Sequence, residues 1–310
     1  MYAGSKAFFY ALSHSATLKR LASRHGLATS ESFASRFIAG ETIETAIEAS
    51  ARLQSQGLLV TLDHLGERVK TSEEAAAATR DYVQLMDVIV GANIERNISL
   101  KLTQLGIDVD LSTCIDNLRR MLDPATRHGF FIRIDMENSP YSGRTLEIFE
   151  TLWEQQYRNL GVALQSSLHR TEGDVRRMNE IGARVRLVKG AYKEPASLAH
   201  QQKPDVDAAF LRFARLLLDH GTYPAIATHD EGLIEKVRAY AVERGFPGDR
   251  FEFQMLYGIR RDLQASLAAA GHRVRVYVPF GREWFPYFMR RLGERPANVA
   301  FVLKALARER

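Results

Sequence analysis

The sequence is poor in cysteine and in long apolar runs. Cys114 is the one cysteine among 310 residues, which excludes an internal disulfide framework and fits a reducing compartment. Because Cys114 falls in a helical pattern, we expect it to pack in the core. No apolar run approaches the roughly 20 residues of a membrane-spanning helix. We therefore expect a cytoplasmic protein, and leave open a peripheral contact with the inner face of the plasma membrane.

The common cofactor and metal motifs are also missing from the sequence. It contains no G-x-G-x-x-G, no G-x-x-x-x-G-K-S/T, no H-E-x-x-H and no Cys/His cluster, so a Rossmann-bound dinucleotide and a bound metal are not expected. Lys and Arg number 42 against 37 Asp and Glu, a net charge of +5. Because the cations are interleaved with acids along the chain, we expect no nucleic-acid partner.

The first 45 residues differ from the rest of the chain. Basic and apolar residues dominate this segment at first, and the first acid is Glu31. We expect residues 1–45 to form a helical arm that packs on a neighbouring subunit or contacts a membrane surface, and residues 46–310 to form one catalytic domain.

Short β-type runs alternate with longer amphipathic segments in that domain. The predicted strands are 58–63, 98–102, 130–135, 161–165, 185–189, 224–228, 251–254 and 274–278. The predicted helices are 71–90, 111–122, 142–157, 172–181, 205–220, 231–245 and 260–270. Eight β-then-α units in about 250 residues predict an α/β protein with a distorted (β/α)8 TIM-like barrel.

The carboxyl ends of these strands, where barrels build their active sites, are polar. Helix capping would explain Asp63, Thr228 and Asp230. It does not explain a second set, whose members are poor caps: Lys101, Gln165, Lys189 and Gln254. Such a mouth suits a polyanionic cofactor with a hydrogen-bonding ring, because Lys189-Gly190-Ala191 would bring charge and backbone N–H groups to a phosphate.

A short helix is predicted near the C-terminus. Tyr287, Arg290 and Arg291 lie at i, i+3 and i+4, so their side chains should meet. Two guanidinium groups beside a ring suit a small carboxylate on an apolar body, and the strand before this helix would bring Tyr277 towards it. The alternative interpretation is a solvated basic face.

Eight short motifs occur in the order found in one enzyme family, between residue 36 and the C-terminus. They are RFIAGE (36–41), LDHLGE (62–67), ISLKLT (98–103), RIDME (133–137), RLVKGAY (186–192), ATH (227–229), FEFQ (251–254) and YFMRR (287–291). With these motifs the chain resembles the bacterial monofunctional proline dehydrogenases. The resemblance implies non-covalent FAD, oxidation of L-proline to Δ1-pyrroline-5-carboxylate, a membrane quinone as electron acceptor, and pyrroline-5-carboxylate dehydrogenase as a functional partner.

The resemblance also implies a role for each matching residue. Asp135 and Arg186 would be catalytic, with Arg186 near the reactive flavin nitrogen, and Glu67 would pair with Arg290 to close the site. Proline would be held by Lys101, Leu256, Tyr277, Tyr287, Arg290 and Arg291. FAD would be bound by Met136, Gln165, Arg186, Lys189, Gly190, Ala191, Thr228, His229 and Gln254.

Two other functions fit the residues apart from this resemblance. Lys101 or Lys189 could be the nucleophile of a Schiff-base lyase, since both are lysines at strand ends. A non-enzymatic barrel could use the arginine pair to sense a carboxylate. A yellow protein would indicate the flavoenzyme, because neither alternative absorbs visible light.

Overall fold

The computed structural model describes residues 34–66 and 68–294 as a closed barrel of eight parallel strands. The strands are β1 Leu59–His64, β2 Asn97–Leu100, β3 Phe131–Ile134, β4 Leu160–Gln165, β5 Arg184–Val188, β6 Ala225–Ala227, β7 Glu252–Leu256 and β8 Val274–Phe280. The helices are α1 Ile43–Gln54, α2 Ser72–Ala92, α3 Leu111–His128, α4 Ser139–Glu154, α5 Thr171–Glu180, α6 Lys203–His220, α7 Glu231–Glu243, α8 Arg261–Ala269 and α9 Trp284–Glu294. All eight predicted strands and the predicted barrel are confirmed.

One face of each strand is apolar and packs against the surrounding helices. These positions are at most 2% exposed and alternate along the strands: Val60, Leu62, Ile98, Leu100, Ile132, Ile134, Val162, Leu164, Val185, Leu187, Ile226, Phe253, Met255, Val274, Val276 and Val278. Side chains alternate between the two faces of a strand. The intervening residues therefore point into the barrel, and many of them are polar.

Side chains from opposite strands meet inside the barrel. Arg186 on β5 reaches Ser99 on β2, with 2.8 Å between Nη2 and Oγ. Small residues on β4 leave space for such long side chains. A Cβ at Gly161 would lie 2.7 Å from Nη1 of Arg133, and real Cβ atoms do not approach that closely. The barrel interior is thus packed with charged groups, where most barrels place branched apolar residues.

Two of the long helices, α2 and α3, begin at side-chain caps. Thr71 accepts a hydrogen bond from the Glu74 amide at 3.2 Å, and Asp110 accepts one from the Thr113 amide at 2.9 Å, which satisfies amides that the first turn leaves open. Gly129 ends α3 with φ of 70°. Cys114 is buried in α3 as expected, and burial raises its pKa to about 12.

The barrel departs from regular (β/α)8 packing at α9. Helix α1, which precedes β1, packs against β8 and β1. Helix α9 contributes instead to a second apolar cluster that includes Leu65 after β1 and Ile259 after β7. Since both residues follow the carboxyl ends of their strands, α9 lies at the mouth of the barrel. The predicted distortion is confirmed.

Residues 34–41 pack on the barrel: Ala34, Phe37 and Ile38 belong to this second cluster, and Ala39 belongs to the main core. The amide of Ala39 donates to the Pro279 carbonyl at 2.8 Å, and the Trp284 indole N–H donates to Glu41 at 2.8 Å. Most of the predicted arm lies outside the described residues, and the division of the chain at residue 45 stays a prediction. Among the described residues, no helix is both long and apolar enough to cross a membrane.

Candidate active site

Three predicted site residues meet at the mouth of the barrel. Asp135 follows β3, and its two carboxylate oxygens accept hydrogen bonds from Arg186 and Tyr277. The Tyr277 hydroxyl lies 2.7 Å from Oδ2, and the Arg186 guanidinium lies 5.3 Å from the centre of the Tyr277 ring. Burial, then the charges of Asp135 and Asp63, raises the pKa of Tyr277 well above its usual value. The phenol therefore keeps its proton and donates a hydrogen bond to Asp135.

Arg186 uses its remaining nitrogens inside the barrel. Its Nε donates to Oε1 of Gln254, and its Nη2 donates to the Ser99 hydroxyl. Ser99 in turn lies 3.0 Å from the Thr61 hydroxyl. With partners on three strands, the guanidinium plane has one orientation.

Lys101 is paired with Asp63, a partner that the sequence did not indicate. The ammonium nitrogen lies 3.3 Å from each carboxylate oxygen, and Asp63 is fully buried. Burial raises the pKa of Asp63, although Lys101 acts in the opposite direction. The capping explanation of Asp63 is wrong, because Thr71 caps the following helix.

Gln165 ends β4 with one polar atom engaged and one open. Its Nε2 donates to the carbonyls of Met136 and Glu137 at 3.1 and 2.9 Å. Its Oε1 is buried and has no hydrogen-bond partner within the described chain. A buried amide oxygen without a partner costs free energy. We therefore expect this oxygen to accept a hydrogen bond from a bound molecule.

Lys189 and its neighbours follow β5. The Lys189 ammonium lies 2.7 Å from Asp207 and 3.0 Å from Asp230, and Lys203 pairs with the same two carboxylates. Asp230 stands at the N-cap position of α7, but its side chain accepts no capping hydrogen bond. Capping is therefore the wrong explanation of Asp230. Although burial acts against them, Lys189 and Lys203 lower the pKa of Asp230 to about 2.

The glycine after Lys189 allows a close approach of the backbone. Gly190 has φ of +108°, and a Cβ there would lie 2.3 Å from the Ser167 hydroxyl oxygen. Ala191 follows it and is exposed. A side chain at position 190 would therefore collide with Ser167 and force this part of the loop to move.

Thr228 and His229 follow β6 and have local partners. The Thr228 hydroxyl accepts a hydrogen bond from the Asp230 amide at 3.1 Å, which is a turn contact rather than a helix cap. His229 accepts one through Nε2 from the Leu256 amide at 2.9 Å, so its proton is on Nδ1 when the ring is neutral. This contact ties the end of β7 to the end of β6.

Helix α9 carries the predicted carboxylate site. The Arg291 guanidinium lies 5.0 Å from the centre of the Tyr287 ring, so these two side chains meet as their spacing predicts. Arg290 and Arg291 are half-buried, and Leu256 packs against the same apolar cluster as the helix. Glu67 lies outside the described residues, and its role stays a prediction.

Several residues of the site were missed because they stand within strands and not after them. Ser99, Glu252 and Arg275 are buried inside the barrel and join the contacts of Arg186 and Gln254. A signal was available in the sequence. A charged residue between two apolar ones, as in Arg275 between Val274 and Val276, predicts a polar barrel interior.

These features define a class of protein: a (β/α)8 barrel enzyme whose mouth holds a hydrogen-bonded Asp–Arg–Tyr cluster and is partly covered by an arginine-bearing helix. Residues 46–304 match the family model described as proline dehydrogenase. The chain belongs to the proline dehydrogenase family.

Individual relatives agree with this assignment. The chain is 39% identical to Proline dehydrogenase 2 of Bacillus subtilis (strain 168) over 98% of its length and 99% of the relative's. It is 42% identical to the proline dehydrogenase of Deinococcus radiodurans, over 88% of this chain and 89% of that one. The resemblance seen in the motifs and the enzyme class that it implies, an oxidoreductase of proline catabolism, are confirmed.

A solved structure has the same fold. Proline utilization A (PutA) from Bdellovibrio bacteriovorus, inactivated by N-propargylglycine, superposes with a TM-score of 0.78 at 26% identity over 84% of this chain. The matched region is 32% of that PutA chain. This protein therefore corresponds to about a third of the larger one.

Proposed function

We propose that this chain oxidises L-proline to Δ1-pyrroline-5-carboxylate with non-covalently bound FAD, and that the electrons pass to a membrane quinone. The observation that carries the proposal is the hydrogen-bonded cluster of Asp135, Arg186 and Tyr277 at the mouth of a barrel of this family. Purified protein should be yellow, and the colour should fade when proline is added under anaerobic conditions, because proline reduces the flavin.

The residues present fit a flavin. The open Oε1 of Gln165 is a buried acceptor, which suits an N–H of the flavin ring. Gly190 keeps the backbone beside Lys189 close to Ser167, where a side chain would collide, and the Lys189 ammonium suits a phosphate. Met136, Ala191, Thr228, His229 and Gln254 complete the proposed cofactor set. When bound, FAD supplies the acceptor for the hydride that leaves the ring carbon beside the proline nitrogen.

The protein residues orient the reactants and balance charge. Arg186 is held by three strands, so it offers a fixed cation to the electron density that develops on the acceptor. Asp135 fixes the positions of the Tyr277 and Arg186 side chains relative to each other, because each of its two oxygens accepts a hydrogen bond from one of them. Arg290 and Arg291 are proposed to bind the substrate carboxylate, with Lys101, Leu256, Tyr277 and Tyr287 around the ring and Glu67 closing the site.

The Schiff-base lyase is the weaker alternative on a specific observation. A Schiff base requires a neutral amine, whereas Lys101 is paired with buried Asp63 and Lys189 with two carboxylates. An ammonium group held in this way is a poor nucleophile. The family match also favours the dehydrogenase over a carboxylate sensor.

The electron acceptor and the product are proposed to connect this enzyme with other components. A quinone resides in the membrane, so we propose a peripheral membrane contact at the inner face of the plasma membrane. The product carries a reactive imine, and pyrroline-5-carboxylate dehydrogenase is the proposed enzyme that consumes it. No nucleic acid and no metal enter the proposal.

Acid precipitation should release the yellow colour into solution, because the flavin is held without a covalent bond. Cys114 is buried in α3, and His229 already accepts a hydrogen bond through Nε2. Neither residue offers a free attachment point. An absorption spectrum of the supernatant checks this, and colour that stays in the pellet would contradict it.

Tyr277→Ser should narrow the preference for proline over 4-hydroxyproline. The Tyr277 ring is fixed between Asp135 and Arg186, and its removal opens space for a hydroxyl. The ratio of kcat/KM values for the two substrates measures the effect. Tyr277→Phe is the matched control, because it keeps the ring and should keep most of the selectivity. An unchanged ratio in Tyr277→Ser would remove Tyr277 from the pocket wall.

A further inference from the structure

A chain of hydrogen-bonded polar side chains runs through the barrel interior from the mouth inward. Gln254 accepts from Nε of Arg186 and donates to the Glu252 carboxylate. Arg275 donates to both oxygens of Glu252 at 2.8 and 2.9 Å and also reaches Glu95 at 2.7 Å. Glu252 is 2% exposed and Arg275 is 5% exposed. At the mouth of the barrel this series of hydrogen bonds ends at Arg186, the arginine proposed to face the flavin.

Stability alone does not account for this arrangement. Burying two charges carries a desolvation cost of several kcal/mol per ion in typical proteins. Apolar residues of similar volume often give equal or greater stability at such positions. Position 252 nevertheless carries a carboxylate. Burial acts to raise the pKa of Glu252, but Arg275, Gln254 and Arg133 lower it, and the pKa is lowered overall. The carboxylate is therefore kept ionised, mainly by Arg275.

The charge of Glu252 dictates the orientation of the Gln254 amide. An ionised carboxylate only accepts hydrogen bonds, so the nitrogen of the amide must face Glu252. The amide oxygen must then face the other way, towards Nε–H of Arg186, where it accepts a hydrogen bond. If the amide turned over, two N–H groups would face each other and Arg186 would lose this partner.

We propose that Glu252 is a positioning residue for the flavin reaction, which fixes the Gln254 amide so that Gln254 holds Arg186 in place. The inference rests on the proposed function, in which the Arg186 cation favours reduced flavin. Glu252 does not touch substrate or cofactor in this account. It acts through Gln254 alone.

The direction of one measurable shift separates this role from a through-space charge effect. Removal of a buried negative charge near the flavin would by itself favour the reduced, electron-rich cofactor and raise its midpoint potential. Displacement of Arg186 removes a cation from the reduced flavin and lowers the potential. A structural role without either consequence would leave the potential of the folded protein unchanged.

The test is the flavin midpoint potential of the holoenzyme in three variants. Gln254→Leu should shift the equilibrium against reduced flavin by about tenfold, which is about 30 mV for a two-electron couple. Glu252→Gln should shift it in the same direction by less, because the lost negative charge opposes the effect of displacing Arg186. Glu95→Gln is the matched control, since it removes one negative charge from the same network but leaves the Gln254 contacts intact. Its potential should be unchanged or higher.

Other results would overturn the inference. A potential that rises or stays constant in Glu252→Gln would show that the carboxylate does not position Arg186, and an equal fall in Glu95→Gln would remove the special role of the Gln254 contact. If Glu252→Gln does not fold, Gln254→Leu decides, because it breaks the same link without a change of charge. Since Gln254 also belongs to the proposed cofactor set, Gln254→Leu is compared with and without Arg186. It should lower the potential in the wild-type background and leave it unchanged in Arg186→Ala, and an equal fall in both would overturn the inference. Wild-type protein without flavin would overturn the proposed function as well, whereas a yellow wild type with unshifted variants would overturn only this inference.

Discussion

Arg186→Ala should lower turnover with proline by about 10²-fold or more, the usual cost of losing a preorganised charge donor at a reacting centre. Flavin content should fall much less, because the proposed anchors of the cofactor are mainly other residues. The guanidinium contacts Asp135, Ser99 and Gln254. Its loss therefore removes the cation and leaves three oriented groups without their partner.

The measurement is kcat per bound flavin, together with a thermal unfolding curve. Asp135 is partly exposed and keeps its hydrogen bond from Tyr277, so we expect a loss of stability of up to about 3 kcal/mol and not unfolding. Arg186→Lys is the control that keeps a charge without the guanidinium fork, and its turnover should lie between wild type and Arg186→Ala. A variant with full flavin and near-native turnover would show that Arg186 has another role.

Arg291→Met should raise the KM for proline about ten- to a hundredfold, because a charge-assisted contact with the carboxylate contributes roughly 1.5–3 kcal/mol. Methionine keeps much of the apolar stem that packs near Tyr287, so the variant should stay folded and yellow. Tetrahydrofuran-2-carboxylate, which has the carboxylate but lacks the amine, should inhibit the wild type competitively. Its affinity should fall in parallel with that for proline.

The matched control for this variant is Arg282→Met. Arg282 is an exposed arginine just before α9, so the substitution removes the same charge close to the same helix. It should leave the proline KM unchanged. If Arg291→Met also keeps the native KM, the arginine pair is a solvated face, as the alternative interpretation of the sequence held.

The barrel was predictable because both of its periodicities are strong in the sequence. Alternating apolar residues such as Val274, Val276 and Val278 indicate strands that pack on helices, and the capping residues Thr71 and Asp110 mark where helices begin. These signals are local. They do not depend on which strands meet across the barrel.

The partners within the site were less predictable, because they depend on contacts across the barrel. Asp63 and Lys101 belong to neighbouring strands, and both capping and pairing are ordinary roles for an aspartate after a strand. Only the burial of Asp63 beside Lys101 shows that its role is pairing and not capping. Likewise, nothing local to Asp230 indicates that it pairs with Lys189 instead of capping α7.

The position of α9 shows a second limit. Its spacing predicts that Tyr287 and Arg291 meet, and they do. That the helix lies at the mouth depends on the apolar cluster it forms with residues such as Phe37 and Ile259. The contact between Phe37 and Phe288 joins segments more than 200 residues apart in the chain, and no pattern within the helix specifies it.

The most direct test of the central claim is the visible spectrum of the purified protein before and after anaerobic addition of L-proline. The proposed function predicts a yellow protein whose flavin absorption fades in proportion to the proline oxidised and returns when a soluble quinone analogue is added. A colourless protein, or a yellow protein whose spectrum proline does not change, would contradict it.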